Sequence, residues 1–237
     1  MALESGWTVH GSGPPQDLPG EEPAHPAGPR TAMRILAGAA LHREAHLRRL
    51  QVALDSLGAS RNWLDEAFEA ALSGAGEGIL RLRVLVQAQR LLARQEAWAP
   101  LPSPYRLSPS PHPLGEARGD PAARHKGLRG DWSAAALALA RSRGADDLLC
   151  LWPDGTLAET AIASVAVVDD ARLRLPPREG RVASIAEAEE LPRWAEARGL
   201  ALEHEPVPLS EIPGKRLLCF NAVRGVWQAE VLPSARP

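Results

Sequence analysis

Lys126 is one of only two lysines, with Lys215, in a 237-residue chain whose other basic side chains are arginines and histidines. A surface cation tolerates exchange of lysine for arginine, whereas an amine that must condense with a carbonyl does not, because a guanidinium lacks that chemistry. Lys126 is therefore the first candidate for a chemical role, weighed against a solvated residue between a Pro/Gly-rich loop and a helix. Glu159 is the second. It follows the turn Pro153-Asp154-Gly155 as the lone acid in the small, apolar run TLAETAIAS. A carboxylate buried there needs a partner, and a protonated heterocyclic nitrogen would serve.

Other constellations carry less. His42 and His46 stand four apart on a helical pattern, but HREAH is not HExxH and no third ligand accompanies them, so no metal is expected. The glycines of GAGEG follow a helix instead of linking a strand to one, which argues against a phosphate loop. Glu187, Glu189 and Glu190 read as the wet side of a helix, and the seven scattered tryptophans as packing. No Gly-x-Ser-x-Gly is present. A formal charge of -2 provides no basic field for nucleic acid, and no apolar run is long enough for a membrane span. The N-terminus lacks the order of a signal peptide, and Cys150 and Cys219 sit in the apolar runs LLCLW and RLLCF. A reduced, cytoplasmic protein is expected.

The elements that must position Lys126 and Glu159 follow from periodicity. Residues 1–30, rich in Pro and Gly from residue 11, read as a tail or loop. TAMRILAG alternates as a strand, and Leu41, Ala45, Leu47, Leu50, Val52, Ala53 and Leu57 then form a helical stripe closed by Gly58. A helix over 62–72 and a hairpin of ILRLRVLVQ with 90–97 complete a small α/β domain over 31–105. The Pro- and Ser-rich run 106–121 reads as an interdomain linker, with a short strand at 105–108. In the larger domain, 122–237, Asp131 is a plausible N-cap for the helix WSAAALALARSRG. Strands LLCLW and ASVAVV, a hairpin at VDDARL, a helix over 184–199 and three further strands follow. Mixed strands and helices without a simple βαβ succession indicate an α/β or α+β fold.

The order HK, helix, GADD-x-LLCL-x-PDG-x-LAETAIAS resembles the class IV pyridoxal-phosphate aminotransferases, and most closely their 4-amino-4-deoxychorismate lyase branch. MRILAGAALHREAHLRRLQ resembles that family's strand, glycine turn and His-Leu-x-Arg-Leu, and CFNAVRGVWQAEV its C-terminal phosphate loop and final strand. The likeness extends over roughly 31–231. It implies a two-domain fold-type IV enzyme similar to D-amino acid aminotransferase, homodimeric, acting on a small-molecule substrate with pyridoxal 5′-phosphate as cofactor. Residue by residue, it implies that Lys126 bonds the cofactor and moves protons, and that Glu159 pairs with the ring nitrogen. Arg49 falls on the phosphate-binding arginine, and Asn221 and Ala222 on the loop whose side chain and amides reach the phosphate. The helix start that cups the phosphate is rewritten here around Ser184, Ile185 and Ala186, without the family's threonine. Thr31 replaces an acid of the family's strand, and Arg129 stands where an Asn-Arg or Asn-Tyr is usual. The implied reaction converts 4-amino-4-deoxychorismate to 4-aminobenzoate and pyruvate. Transamination of branched-chain or D-amino acids and a non-catalytic binding role are the alternatives.

Overall fold

Hairpins dominate the first half of the chain. The computed structural model describes residues 7–11, 13–18, 28–115, 118–130 and 132–233. It divides into two units, Met1–Ala99 with His125–Gly130 and Pro100–Arg124 with Asp131–Pro237. In the first, β1 (Trp7–Gly11), β2 (Gly13–Leu18), β3 (Arg30–Leu36), β4 (Ala39–Ala40), β5 (Gly78–Leu85) and β6 (Arg90–Glu96) form an antiparallel sheet in the order β2-β1-β6-β5-β3-β4. Thr31, Met33 and Ile35 alternate onto the buried face of β3. There they meet the apolar stripes of α1 (Arg43–Ser56) and α2 (Leu64–Ser73), with Leu50, Leu54 and Phe68 fully buried in the same core. Each such side chain contributes about 1.5–3 kcal/mol.

Two expectations change in this unit. Residues 7–11 and 13–18 are not a tail: they form paired strands, Trp7 and His10 are buried, and β1 pairs with β6 at Thr8↔Ala93 to His10↔Leu91. The strand gains from a neighbour distant in sequence what its own composition cannot supply. The glycine turn also closes a hairpin before the helix begins. Ala37 and Gly38 both adopt positive φ in the two-residue loop between β3 and β4, the geometry that matches strand twist.

The second unit holds a mixed sheet in the order β12-β11-β10-β13-β14-β7-β8-β9. Its strands are β7 (Tyr105–Pro111), β8 (Asp147–Leu151), β9 (Leu157–Thr160), β10 (Ser164–Asp169), β11 (Arg172–Leu175), β12 (Ala201–His204), β13 (Arg216–Asn221) and β14 (Gly225–Val231). The helix α3 (Ser133–Ser142) packs Ala136 and Ala140 against Leu148, Cys150 and Trp152. The proposed cap Asp131 lies outside the described residues. The helix expected over 184–199 is broken into α4 (Ile185–Glu189) and α5 (Leu191–Glu196), because Pro192 has no N–H for a continuous helix.

The run expected as a linker contains an interior strand, β7, paired in parallel with both β14 and β8. Its prolines argue against a central strand, and register explains why they are tolerated. The Arg106 carbonyl accepts from Asp146 N–H and His112 N–H donates to the Leu151 carbonyl, so even-numbered residues bond toward β8. Odd-numbered residues bond toward β14, whose pairing ends at Val231↔Leu107. Pro109 and Pro111 thus lack N–H groups only where no strand residue of β14 would accept from them.

Candidate active site

Lys126 belongs with the first unit, although it was expected in the C-terminal domain. Its backbone carbonyl accepts from the N–H of Arg30 at 3.0 Å, which fastens the loop 125–130 to the start of β3. Gly127 makes this approach possible. It adopts φ +98°, and a Cβ there would stand 2.2 Å from the Gly28 carbonyl oxygen. Gly127→Ala is therefore expected to destabilise the protein by on the order of 1–3 kcal/mol, with a lower urea midpoint at unchanged m-value, as checked by equilibrium denaturation.

Lys126 and Arg49 converge electrostatically on His46. Arg49 is half-buried on α1, and His46, on the same helix, is fully buried with Nδ1 2.6 Å from the Thr31 hydroxyl. Thr31 therefore supports His46. Burial, followed by the charges of Arg49, His42 and Lys126, lowers the His46 pKa to about 3. His46 is neutral in the folded protein, while the unfolded chain takes up a proton below pH 6.5. The unfolded state thus binds more protons between pH 6.5 and 3, and stability falls as pH drops through that window by up to about 1.4 kcal/mol per unit. His46→Gln should lose that share of the acid sensitivity, which paired pH series of chemical denaturation would measure. Among the described residues no group of three His, Cys, Asp or Glu could hold a metal.

In the second unit, Glu159 is 6 % exposed on β9, flanked by the buried Ala158 and Thr160. The strand end that carries it is fixed from both sides. Asp147 is fully buried, and its Oδ1 accepts from Leu148 N–H at 2.7 Å and Ala161 N–H at 3.0 Å, while Tyr105 OH donates to Oδ2 at 3.3 Å. Burial raises the pKa of Asp147 and these hydrogen bonds partly offset the rise. Thr160 Oγ1 accepts from Ala163 N–H at 2.9 Å, closing the turn beyond Glu159. His112, just after β7, places Nε2 3.4 Å from Glu159 Oε1. Sequence reasoning missed both His112 and Asp147. Asp147 was visible only as part of the GADD motif, and no spacing relates a lone histidine in PSPHPL to an acid 47 residues later.

Asn221 ends β13 with its amide engaged. Nδ2 donates to the Ile162 carbonyl at 3.2 Å, and Oδ1 accepts from Val223 N–H at 3.0 Å and Arg224 N–H at 2.9 Å. Its side chain thereby joins the Ala222 turn to the loop after Glu159. Ser184 caps α4, its hydroxyl accepting from Glu187 N–H at 3.2 Å. The N–H groups of Ile185 and Ala186 fall in the first turn, where a helix offers no acceptor. The Ala186 methyl packs with Leu218 and Phe220.

Glu187 is not on a wet face. It is buried against Arg178 at 2.8 Å, Arg181 at 3.3 Å and His204 at 3.0 Å. Burial favours its protonated form, but the Arg181 charge and the hydrogen bonds from Arg178 and His204 outweigh it and hold the carboxyl below its usual range. A cavity of about 210 Å³ opens beside the cap, lined by Arg124, Arg178, Arg181, Ser184 and Glu187 among others.

The sequence profile described as amino-transferase class IV matches residues 30–231. Among solved structures, the chain is similar to 4-amino-4-deoxychorismate lyase from Pseudomonas aeruginosa at 21% identity and TM-score 0.67, covering 88% of this chain and 84% of that one. It is also similar to the branched-chain aminotransferase of the thermophilic archaeon Thermoproteus uzoniensis with norvaline, at 16% identity and TM-score 0.77 over 95% and 87% of the two chains. A hypothetical aminotransferase from Mycobacterium tuberculosis, with alpha-ketoglutarate and PMP bound, gives 20% identity and TM-score 0.73 over 96% and 93%. No curated protein matches the chain. At these identities the structural likeness is one of fold, and the fold is that of the type IV aminotransferases.

Proposed function

Because the chain belongs to the amino-transferase class IV family, we propose that it is a lyase converting 4-amino-4-deoxychorismate to 4-aminobenzoate and pyruvate, a step of folate synthesis. Pyridoxal 5′-phosphate is the cofactor that goes with this family and fold. The observation that carries the reading is the buried Glu159. A carboxyl buried on a strand among small side chains calls for a polar or cationic partner, and a protonated pyridine ring would supply one. When bound, the cofactor contributes an electron sink that accepts the pair released at the carbon bearing the substrate nitrogen.

The chain's own groups do the rest. Lys126 would hold the cofactor through its amine and would move the proton at the carbon bearing the substrate nitrogen. Arg49 would hold phosphate with its guanidinium, and the N–H groups of Ile185 and Ala186, the Ser184 hydroxyl and the Asn221–Ala222 turn are the other groups of the chain suited to phosphate oxygens. Arg129, exposed in the structure, would be the chain's stand-in for the residue that flanks the ring's phenolic oxygen. Aromatisation of the product supplies much of the driving force, so a base and an electron sink are the main requirements. The wording AETAIAS and FNAVRG favours the lyase over a transaminase.

Purified protein loaded with pyridoxal phosphate should be yellow and should release pyruvate and 4-aminobenzoate from the substrate without an added keto acid. Turnover that appears only with an amino donor and a keto acid would assign a transaminase. A protein that takes up no pyridoxal phosphate would overturn both and leave a binding role. We also propose a homodimer acting in the cytoplasm, for which sedimentation should give twice the chain mass.

A further inference from the structure

We propose that His112 is a positioning residue that keeps Glu159 an anion, so that the proton between carboxylate and cofactor ring rests on the ring nitrogen. This rests on the reading of Glu159 given above. His112 is buried, stacked on Trp152 at 4.7 Å between ring centroids and 28° between planes, and meets Trp132 edge-on at 5.2 Å. The two indoles fix the plane of the imidazole. The backbone fixes its hydrogen: Leu114 N–H donates to His112 Nδ1 at 3.0 Å, so that nitrogen presents a lone pair. A neutral imidazole with Nδ1 as acceptor carries its proton on Nε2, the atom 3.4 Å from Glu159 Oε1.

His112 therefore donates to the carboxylate. A hydrogen bond to the charged form lowers the basicity of a buried carboxyl, opposing the effect of its burial. At 3.4 Å the contact is long. It occupies Oε1 and leaves Oε2 as the acceptor available to the ring N–H. Without a donor at Oε1, Glu159 would be the more basic partner and would draw the proton from the ring.

Three measurements test this. In protein labelled with 15N-histidine and free of cofactor, long-range 1H–15N correlation should show His112 as the neutral Nε2–H tautomer. An Nδ1–H tautomer or an imidazolium would overturn the proposal without reference to any cofactor. In the holoenzyme, pyridoxal phosphate labelled with 15N in the ring should report a pyridinium shift for the wild type. His112→Phe, which keeps a ring between the tryptophans but no donor, should move that shift toward unprotonated pyridine and lower kcat roughly ten- to hundredfold at similar KM. His112→Gln, which restores an N–H toward Glu159, should recover most of both. A Phe variant with the wild-type ring shift sinks the role of His112 while leaving the lyase reading standing. A wild type that binds no pyridoxal phosphate sinks the lyase reading itself.

Discussion

Replacing Lys126 by alanine is expected to abolish turnover while leaving the fold intact. On the proposed reading the loss should reach about 10⁴-fold or more, because one side chain would act as both the covalent anchor and the group that moves the proton, and positioned acid–base catalysis alone accounts for 10²–10⁴. The fold should survive for a local reason. The contact that ties this loop to β3 is the Lys126 backbone carbonyl, which alanine retains, and the lysine side chain is only half-buried. Removing its charge also relieves one of the influences that depress the His46 pKa, so any change in stability should be small and slightly favourable at acid pH. Borohydride reduction of the loaded wild type should bleach the visible band and fix the label on the peptide containing Lys126, and the variant should take no label. A variant that unfolds would make Lys126 structural, and one that turns over at the wild-type rate would remove it from the chemistry.

The elements that short-range rules govern were legible in the sequence. The stripe from Leu47 to Leu54, the Arg-interleaved hairpin of β5 and β6, and the run LLCLW are local patterns, and each emerges where periodicity places it. What failed depended on partners distant in sequence. β1 is held by β6, some eighty residues away, and β7 tolerates two prolines only because of where β14 stops pairing. Glu187 reads as a surface acid until Arg178, Arg181 and His204 are seen around it. The same division runs through the candidate site. Lys126 and Glu159 were singled out as candidates by residue type in context, since a rare lysine and a lone acid in an apolar run are visible one residue at a time. Asn221 was singled out as a candidate through family likeness, but its side-chain bond to the loop after Glu159 is a tertiary fact. His112 had no local signal at all, because its significance lies in being flanked by Trp132 and Trp152 and facing Glu159.

Glu159→Gln separates the charge of that carboxylate from its shape. The variant is expected to fold and to keep its cofactor, since glutamine has the same outline and its side-chain oxygen can still accept from His112 Nε2–H. On the proposed reading it loses the group that would hold a proton on the ring nitrogen. A neutral ring withdraws electrons poorly, so kcat should fall by about 10²–10³, the scale on which removing one preorganised electrostatic group acts in a water-poor site. KM should change little, because the lost interaction strengthens as charge develops and contributes less to ground-state binding. Burial sharpens the contrast. At 6 % exposure Glu159 has little solvent to screen its charge, whereas a solvated carboxylate would be worth far less to the ring. Steady-state kinetics with bound-cofactor stoichiometry measured on the same preparation would decide the matter. Unchanged kcat at full occupancy would break the pairing between Glu159 and the ring, and loss of cofactor with no change per occupied site would assign Glu159 to affinity alone.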